Sequence, residues 1–385
     1  MQNILLEMFH SFPVVTITGP RQSGKTTLVK MTFPDMAYIS LEDLDMRQFA
    51  EDDPRGLLSQ YENGLIIDEV QHVPELLSYI QTVVDKKSKP GLFILTGSNQ
   101  FEYMHSITQS LAGRTGILKL LPFSFAELYG KNTSVYLEEV MFKGFYPRIF
   151  DQNIRPQLFL SSYMESYLER DVRSLLNIRN LHQFHRFLQI CAGRTGQILN
   201  MSGLGNEIGV SHKTIREWIS VLEASYIIFL LKPFHRNYNK RIIKSPKLYF
   251  IDVGLSSHLL GIENFNQLKT HPLRGELFET FVVIEFLKYR FNWGLRNNLY
   301  YFRDNIGNEV DLIIETGDGL SPVEIKSGKT INSQFFKGLQ YFKKLDTKNV
   351  KTPALIIGDI VKQKRTECFV YGYPFVEDLS EKLMG

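Results

Sequence analysis

The 385-residue sequence predicts an α/β protein: a parallel sheet covered by helices, then a helical middle region, then a second α/β part built on another sheet. Three observations carry this. As far as Leu120, short apolar runs alternate with helical stretches, the pattern of successive β-α-β units. From about Gln157 to Ala224 the apolar spacing becomes helical. Beyond Gly275 a helix precedes two strand-like runs joined by a glycine turn.

Strands are expected near 14–18, 37–40, 65–68, 92–96 and 117–120. The first, Val14-Val15-Thr16-Ile17-Thr18, runs directly into Gly19-Pro20-Arg21-Gln22-Ser23-Gly24-Lys25-Thr26, followed by Thr27 and a helical stretch. This is a complete G-x-x-x-x-G-K-[ST] loop between a strand and a helix, where backbone N–H groups can turn onto the β and γ phosphates of a nucleotide such as ATP. Lys25 would bridge those phosphates, and the Thr26 hydroxyl would hold Mg²⁺. The run Leu65-Ile66-Ile67 closes on Asp68-Glu69. Asp68 would orient the Mg²⁺ through water, and Glu69 would polarise the water that attacks the γ-phosphate. A later run, Leu92 to Thr96, leaves the sheet through Gly97-Ser98-Asn99. Ser98 or Asn99 sits where a sensor side chain would touch the γ-phosphate, although an ordinary strand-to-turn exit has the same pattern. Arg114 reads either as a stabiliser of γ-phosphate charge, in its own subunit or a neighbour's, or as a surface arginine at a turn.

In the middle region, Gly203–Ile208, the turn Gly209-Val210-Ser211 and His212–Ala224 resemble a helix-turn-helix. Ser211 is the expected N-cap of the second helix. Ile215, Trp218, Ile219 and Leu222 form its buried stripe, leaving His212, Lys213, Arg216 and Glu217 outward. The following stretch, Ser225 to Ile251, carries Lys232, Arg236, Lys240, Arg241, Lys244 and Lys247 but no Asp or Glu, interleaved with Phe234, Tyr238 and Tyr249. It reads as the basic wing of a winged helix that contacts DNA. Such modules also serve as spacers, and the sequence leaves both roles open.

The last part brings together an acid-rich set. On the run Pro322-Val323-Glu324-Ile325-Lys326, Glu324 and Lys326 share one face. If the run Glu309 to Ile314 pairs with it through the turn Gly317-Asp318-Gly319, Asp311 joins them. With an upstream helical Glu, this is the arrangement of a PD-(D/E)xK nuclease: carboxylates hold a hard divalent cation and Lys326 positions or deprotonates a water. Whether such a site cuts stays open.

Composition excludes several classes. Hydrophobic content of 43% and charged content of 22% are those of a globular protein. A net charge of +3 is too small to announce a nucleic-acid partner by itself. The two cysteines, Cys191 and Cys368, suggest neither a disulfide framework nor a zinc site. The N-terminus lacks a basic leader, and no apolar run reaches membrane-spanning length. A cytoplasmic protein without a membrane partner is expected.

Taken together these motifs resemble a prokaryotic ATPase family in which an AAA-type nucleotide-binding domain precedes a winged-helix region and a C-terminal domain of unknown function with a restriction-endonuclease-like, PD-(D/E)xK core. The resemblance rests on Gly19–Thr27, Asp68-Glu69-Val70-Gln71, Leu95-Thr96-Gly97-Ser98, Leu111-Ala112-Gly113-Arg114, Pro122–Phe125, Tyr167–Val172, Gly275-Glu276-Leu277-Phe278-Glu279, Glu309-Val310-Asp311 and Val323–Ser327. It implies domains at 1–155, 156–260 and 261–385, with ATP and Mg²⁺ as ligands. Glu279 matches the family's Phe-Glu position and is the first choice for the upstream carboxylate, with Glu285 second. The resemblance supplies no substrate. DNA, a protein partner or a homo-oligomer are the partners to weigh.

Overall fold

The computed structural model describes residues 1–98, 110–130, 133, 135–168, 181–234, 244–366 and 368–384. Asn99, the block Glu169–Val172, and Arg236, Tyr238, Lys240 and Arg241 of the expected wing lie outside the described residues. The chain folds into two compact units. The first comprises Met1–Pro122 with Ala224–Tyr226 and Arg290–Leu295; the second holds the remainder.

The first unit contains α1 (Gln2–Ser11), β1 (Val14–Gly19), α2 (Lys25–Thr32), β2 (Ala37–Ser40), α3 (Leu44–Asp52), α4 (Pro54–Ser59), β3 (Leu65–Asp68), α5 (Leu76–Lys87), β4 (Phe93–Ser98) and β5 (Thr115–Lys119). All five strands are parallel, in the order β2-β3-β4-β1-β5. Alternate residues of a strand point to opposite faces, and here both faces are apolar because helices cover both. Val14, Leu65, Ile67, Phe93 and Leu95 pack with Leu76, Leu77 and Ile80 of α5. Val15, Ile17, Ile66 and Ile94 pack with Leu5 of α1 and Val29 of α2. Because β4 lies between β1 and β3, the carboxyl ends of these three strands form one edge of the sheet.

The second unit begins with α6 (Phe125–Tyr129), α7 (Leu137–Lys143), α8 (Pro147–Asp151), α9 (Pro156–Tyr163) and α10 (Leu181–Ala192). Then come β6 (Gln197–Ile198), α11 (Met201–Ile208), α12 (His212–Ala224), β7 (Ile228–Pro233) and β8 (Lys247–Phe250). The turn between α11 and α12 follows local chemistry: Gly209 is left-handed at φ 81° and ends α11. Ser211 Oγ accepts from the Thr214 N–H at 3.1 Å and starts α12. Ile215, Trp218, Ile219 and Leu222 are buried, with Trp218 against Phe184 and Phe187 of α10, while His212, Lys213, Arg216 and Glu217 are exposed.

The chain continues through α13 (Val253–Leu259), α14 (Arg274–Asn292), β9 (Leu299–Arg303), β10 (Glu309–Thr316), β11 (Gly319–Lys326), α15 (Lys337–Leu345), β12 (Ala354–Ile357), β13 (Lys362–Lys364), β14 (Phe369–Gly372) and α16 (Val376–Met384). Strands of this unit join in one sheet ordered β13-β14-β12-β11-β10-β9-β7-β8-β6. The expected hairpin is present: β10 and β11 pair antiparallel with Thr316 opposite Gly319 and Leu312 opposite Val323, which sets Asp311 beside Glu324. Cys191 and Cys368 are both buried and unpaired, in separate clusters of this unit.

Trp218→Ala should lower unfolding free energy by about 3–5 kcal/mol, since it removes the ring on which Phe184 and Phe187 close. Chemical denaturation checks this; a loss below about 1 kcal/mol would mean that the stripe does not hold α12 in place.

Candidate functional site

Two clusters of charged side chains stand out, one in each unit. In the first, β1 ends at Gly19, and a Cβ there would lie 2.0 Å from the Leu120 carbonyl oxygen. Gly24 caps α2 with φ 94°, a left-handed conformation that lets the loop turn its amides inward ahead of the helix. Lys25 is buried, its Nζ donating to the carbonyls of Gly19 at 3.1 Å and Pro20 at 2.8 Å. Burial lowers its pKa to about 8, with Arg21 adding to the depression and Glu69 and Asp68 opposing it. Among the described residues, the buried Ser23 Oγ and Gln22 Oε1 lack hydrogen-bond partners. Thr27 is exposed on the first turn of α2.

Asp68 closes β3 and is the meeting point of four elements. Its Oδ2 accepts from Thr26 Oγ1 of α2 at 2.8 Å and from Tyr38 OH of β2 at 2.7 Å, and its Oδ1 accepts from Thr96 of β4. Burial and the bond to Asp68 push the Tyr38 phenol well above its usual range. Glu69 follows in a left-handed conformation, φ 54°, sparsely populated for a residue with a side chain, and accepts from the Gln71 amide. Ser98 pairs through its main chain with Gly19, beside the start of the loop.

Arg114 requires a correction. It precedes β5, and its carbonyl accepts from the N–H of Val14, at the opposite end of β1 from the loop. Five residues of strand put about 17 Å between them, beyond an arginine's reach. Its guanidinium is instead engaged by Asp85 at 2.6 and 3.0 Å. Contact with its own subunit's γ-phosphate is therefore excluded.

The second cluster lies on the large sheet. Lys326 Nζ bridges Glu324 Oε1 at 2.6 Å and Asp311 Oδ2 at 3.0 Å, and Asp311 Oδ2 also accepts from the Ile325 N–H at 2.8 Å. Glu279 of α14 joins them, its Oε1 accepting from Lys247 Nζ at 2.9 Å and Tyr249 OH at 2.6 Å. Lys247 also pairs with Glu309 at 2.6 Å, and Arg303 with Glu309 at 3.1 Å. Burial, reinforced by Asp311 and opposed by Lys326, pushes the Glu324 carboxyl up to about 8. Burial raises Glu279 as well, against the pull of Lys247. Lys247 is therefore no part of an exposed basic wing. Glu285, the second choice for the upstream carboxylate, is elsewhere: it accepts from the Phe125 N–H at 2.7 Å and Lys288 Nζ at 2.9 Å, capping α6. Among the described residues, no three His, Cys, Asp or Glu side chains are arranged to hold a metal ion as they stand, and no helix is long and apolar enough to cross a membrane.

The family model described as "AAA domain" matches residues 11–129, the segment that carries the phosphate loop and Asp68. The chain carries an AAA-type ATPase domain. Two models described as domains of unknown function match residues 135–266 (DUF8612) and 274–374 (DUF4143). Uncharacterized proteins of Mycobacterium bovis and Mycobacterium tuberculosis are each 29% identical over 331 residues, 85% of this chain and 73% of theirs. One from Methanocaldococcus jannaschii is 23% identical over an alignment of 405 residues, 91% of this chain and 81% of its own. Among solved structures, the Walker-type ATPase PABY2304 of Pyrococcus abyssi aligns with 67% of this chain and 94% of its own, at 16% identity and a TM-score of 0.42. A point variant of Thermotoga maritima RuvB aligns with 59% and 86%, at 16% identity and a TM-score of 0.30.

AAA-type P-loop ATPases bind and hydrolyse ATP, so both are family-level properties of this domain. Its donor set fits a magnesium nucleotide: a buried ammonium, an unpartnered serine hydroxyl in the loop, and a threonine hydroxyl bonded to a carboxylate. Tyr38 and Thr96 had no sequence signal as ligands of Asp68. Both reach it from neighbouring strands, and only the register β2-β3-β4 puts them there.

Nucleotide binding should take up a proton above neutral pH. The free Lys25 loses its charge as pH rises through about 8, whereas phosphates at the loop would keep it charged. ATP affinity should therefore fall from pH 7.5 to 9.5. Calorimetry in buffers of different ionisation enthalpy reads the proton directly; uptake that stays nil at pH 9 would contradict the placement of phosphate against Lys25.

Proposed function

We propose that the protein is a Mg²⁺-dependent ATPase whose nucleotide state governs engagement of DNA by the middle region. The observation that carries the hydrolytic reading is the bond from Thr26 to Asp68 beside the buried Lys25. Lys25 neutralises and orients the β and γ phosphates, and the loop amides bind them at the start of α2. Thr26 and Asp68 would hold Mg²⁺, which when bound neutralises phosphate charge. Glu69 orients the attacking water and accepts its proton as oxygen bonds to the γ-phosphorus and the bond to the bridging oxygen breaks, giving ADP and phosphate. Gln71 holds the Glu69 carboxylate, and Thr96 and Tyr38 fix Asp68 from either side. Arg114, remote from its own loop, would serve only a neighbour's nucleotide in a homo-oligomer.

The DNA reading rests on connectivity and exposure. The order α10-β6-α11-α12-β7-β8, with β8 between β6 and β7, supports the winged-helix reading. The outward face of α12 presents Lys213 and Arg216. A second reading is favoured by the lysine-bound carboxylates of the large sheet: the nuclease-like core acts as a binding module in a nucleotide switch and does not cut.

Lys25→Ala should abolish ATP binding, while Glu69→Gln should leave binding intact and lower kcat by about 10²–10⁴-fold. Equilibrium binding and steady-state phosphate release separate the two. Turnover that survives both changes would remove the AAA domain from the chemistry.

For DNA, the double variant Lys213→Ala, Arg216→Ala should weaken duplex binding and reduce the slope of log K against log salt by about 2. Fluorescence anisotropy across a salt series tests this. An unchanged slope would mean that α12 does not face phosphate.

A further inference from the structure

We propose that Lys247 is the resident cation of the carboxylate centre in the second unit, so that this centre is balanced by side chains of the chain and takes no divalent metal. The inference deepens the reading of that sheet as a nuclease-like binding module and rests on it. Lys247 belongs to β8, outside the hairpin that carries Asp311, Glu324 and Lys326. It is only 3% exposed and sits between Glu279, at 2.9 Å, and Glu309, at 2.6 Å.

Charge balance is the first argument. Glu279, Glu309, Asp311 and Glu324 face Lys247, Lys326 and Arg303, which leaves at most a single negative charge, reached only when all four acids are ionised. A divalent cation would leave a net positive charge in a largely buried site, where uncompensated charge is strongly disfavoured. Without Lys247 the same side chains would carry up to two negative charges, the number that one Mg²⁺ or Mn²⁺ neutralises.

Available oxygens are the second argument. Glu279 Oε1 already accepts from both Lys247 and Tyr249, and Asp311 Oδ2 from both Ile325 N–H and Lys326. Glu324 Oε2 is buried without a hydrogen-bond partner among the described residues. Glu324 Oε1 is likewise held by Lys326 at 2.6 Å, so each of the three carboxylates already has an oxygen engaged by a donor of the chain. A Mg²⁺ ion, with its near-octahedral shell, would have to compete with those bonds. Lys247 is also fixed where it stands: it opens a paired strand, with Leu231 opposite, and its ammonium lies 5.5 Å from the Tyr301 ring centre.

The test is Mn²⁺ binding by electron paramagnetic resonance, on full-length, nucleotide-free protein carrying Asp68→Asn, so that the phosphate-loop position does not report. The free Mn²⁺ signal should be undiminished at millimolar protein. Adding Lys247→Met should remove part of that signal through a new site, and adding Asp311→Asn as well should restore it. Mn²⁺ bound while Lys247 is present, and released by Asp311→Asn, would overturn the inference yet leave the nuclease-like reading standing. So would a folded Lys247→Met protein that gains no site; if that variant fails to fold, Lys247→Gln replaces it, and the first arm decides regardless. Nicking of circular DNA with no Mn²⁺ bound, abolished by Lys326→Ala, would sustain the inference while ending the non-cutting reading.

Discussion

The AAA domain depends on the saturation of one buried carboxylate. Asp68 accepts hydroxyls from α2, β2 and β4 while belonging to β3, so a single side chain ties the helix behind the phosphate loop to three adjacent strands. A buried carboxylate left without partners is strongly destabilising, and here three hydroxyls supply them. The arrangement is also asymmetric. Tyr38 and Thr96 hold Asp68 from the two neighbouring strands, while Thr26 reaches it from the helix. Parallel strand order makes this geometry available: with β4 inserted between β1 and β3, the two motifs lie at the same edge of the sheet, separated by one strand.

The second unit handles buried carboxylates in another way. Glu279, Asp311 and Glu324 are held chiefly by ammonium groups. A buried ion pair gains little net stability, because desolvation consumes most of the Coulombic attraction, but losing one partner costs several kcal/mol. Such a centre is therefore conformationally stiff without being a large source of stability. Tyr249 adds a neutral donor to Glu279 and so fixes its rotamer without adding charge.

How much of this was legible in the sequence follows the range of the interactions. The phosphate loop, the strand closing on Asp68-Glu69, the Ser211 cap, the buried stripe of α12 and the β10–β11 hairpin are written in local spacing, and each is present. The partners that tune the sites are not local. Tyr38 and Thr96 reach Asp68 across 30 and 28 positions, and Lys247 reaches Glu279 across 32. Nothing in a run of basic residues distinguishes Lys247, which is buried, from Lys232 and Lys244, which are exposed. Arg114 shows the converse: its place after a strand suggested proximity to phosphate, yet it precedes β5. In a parallel sheet the start of every strand lies on the edge away from the loop. Glu285 was separable from Glu279 in principle, since six residues of helix turn through about 240° and one residue cannot share the other's face.

Lys25 and Lys247 show how one residue type can be set to opposite purposes. Both are buried lysines near carboxylates, yet burial dominates at Lys25 and lowers its pKa to about 8, whereas the surrounding anions dominate at Lys247 and raise it. The difference lies in direct contact. Lys25 donates to two neutral carbonyls, with Asp68 and Glu69 engaged by other donors; Lys247 donates directly to two carboxylates. A lysine that is poorly compensated gains most when an anion arrives, which suits a phosphate ligand. A lysine already compensated has nothing to gain from a further anion and leaves its carboxylates little to gain from a further cation. Local compensation, more than burial itself, therefore separates the side chain that awaits a ligand from the one that completes its own site.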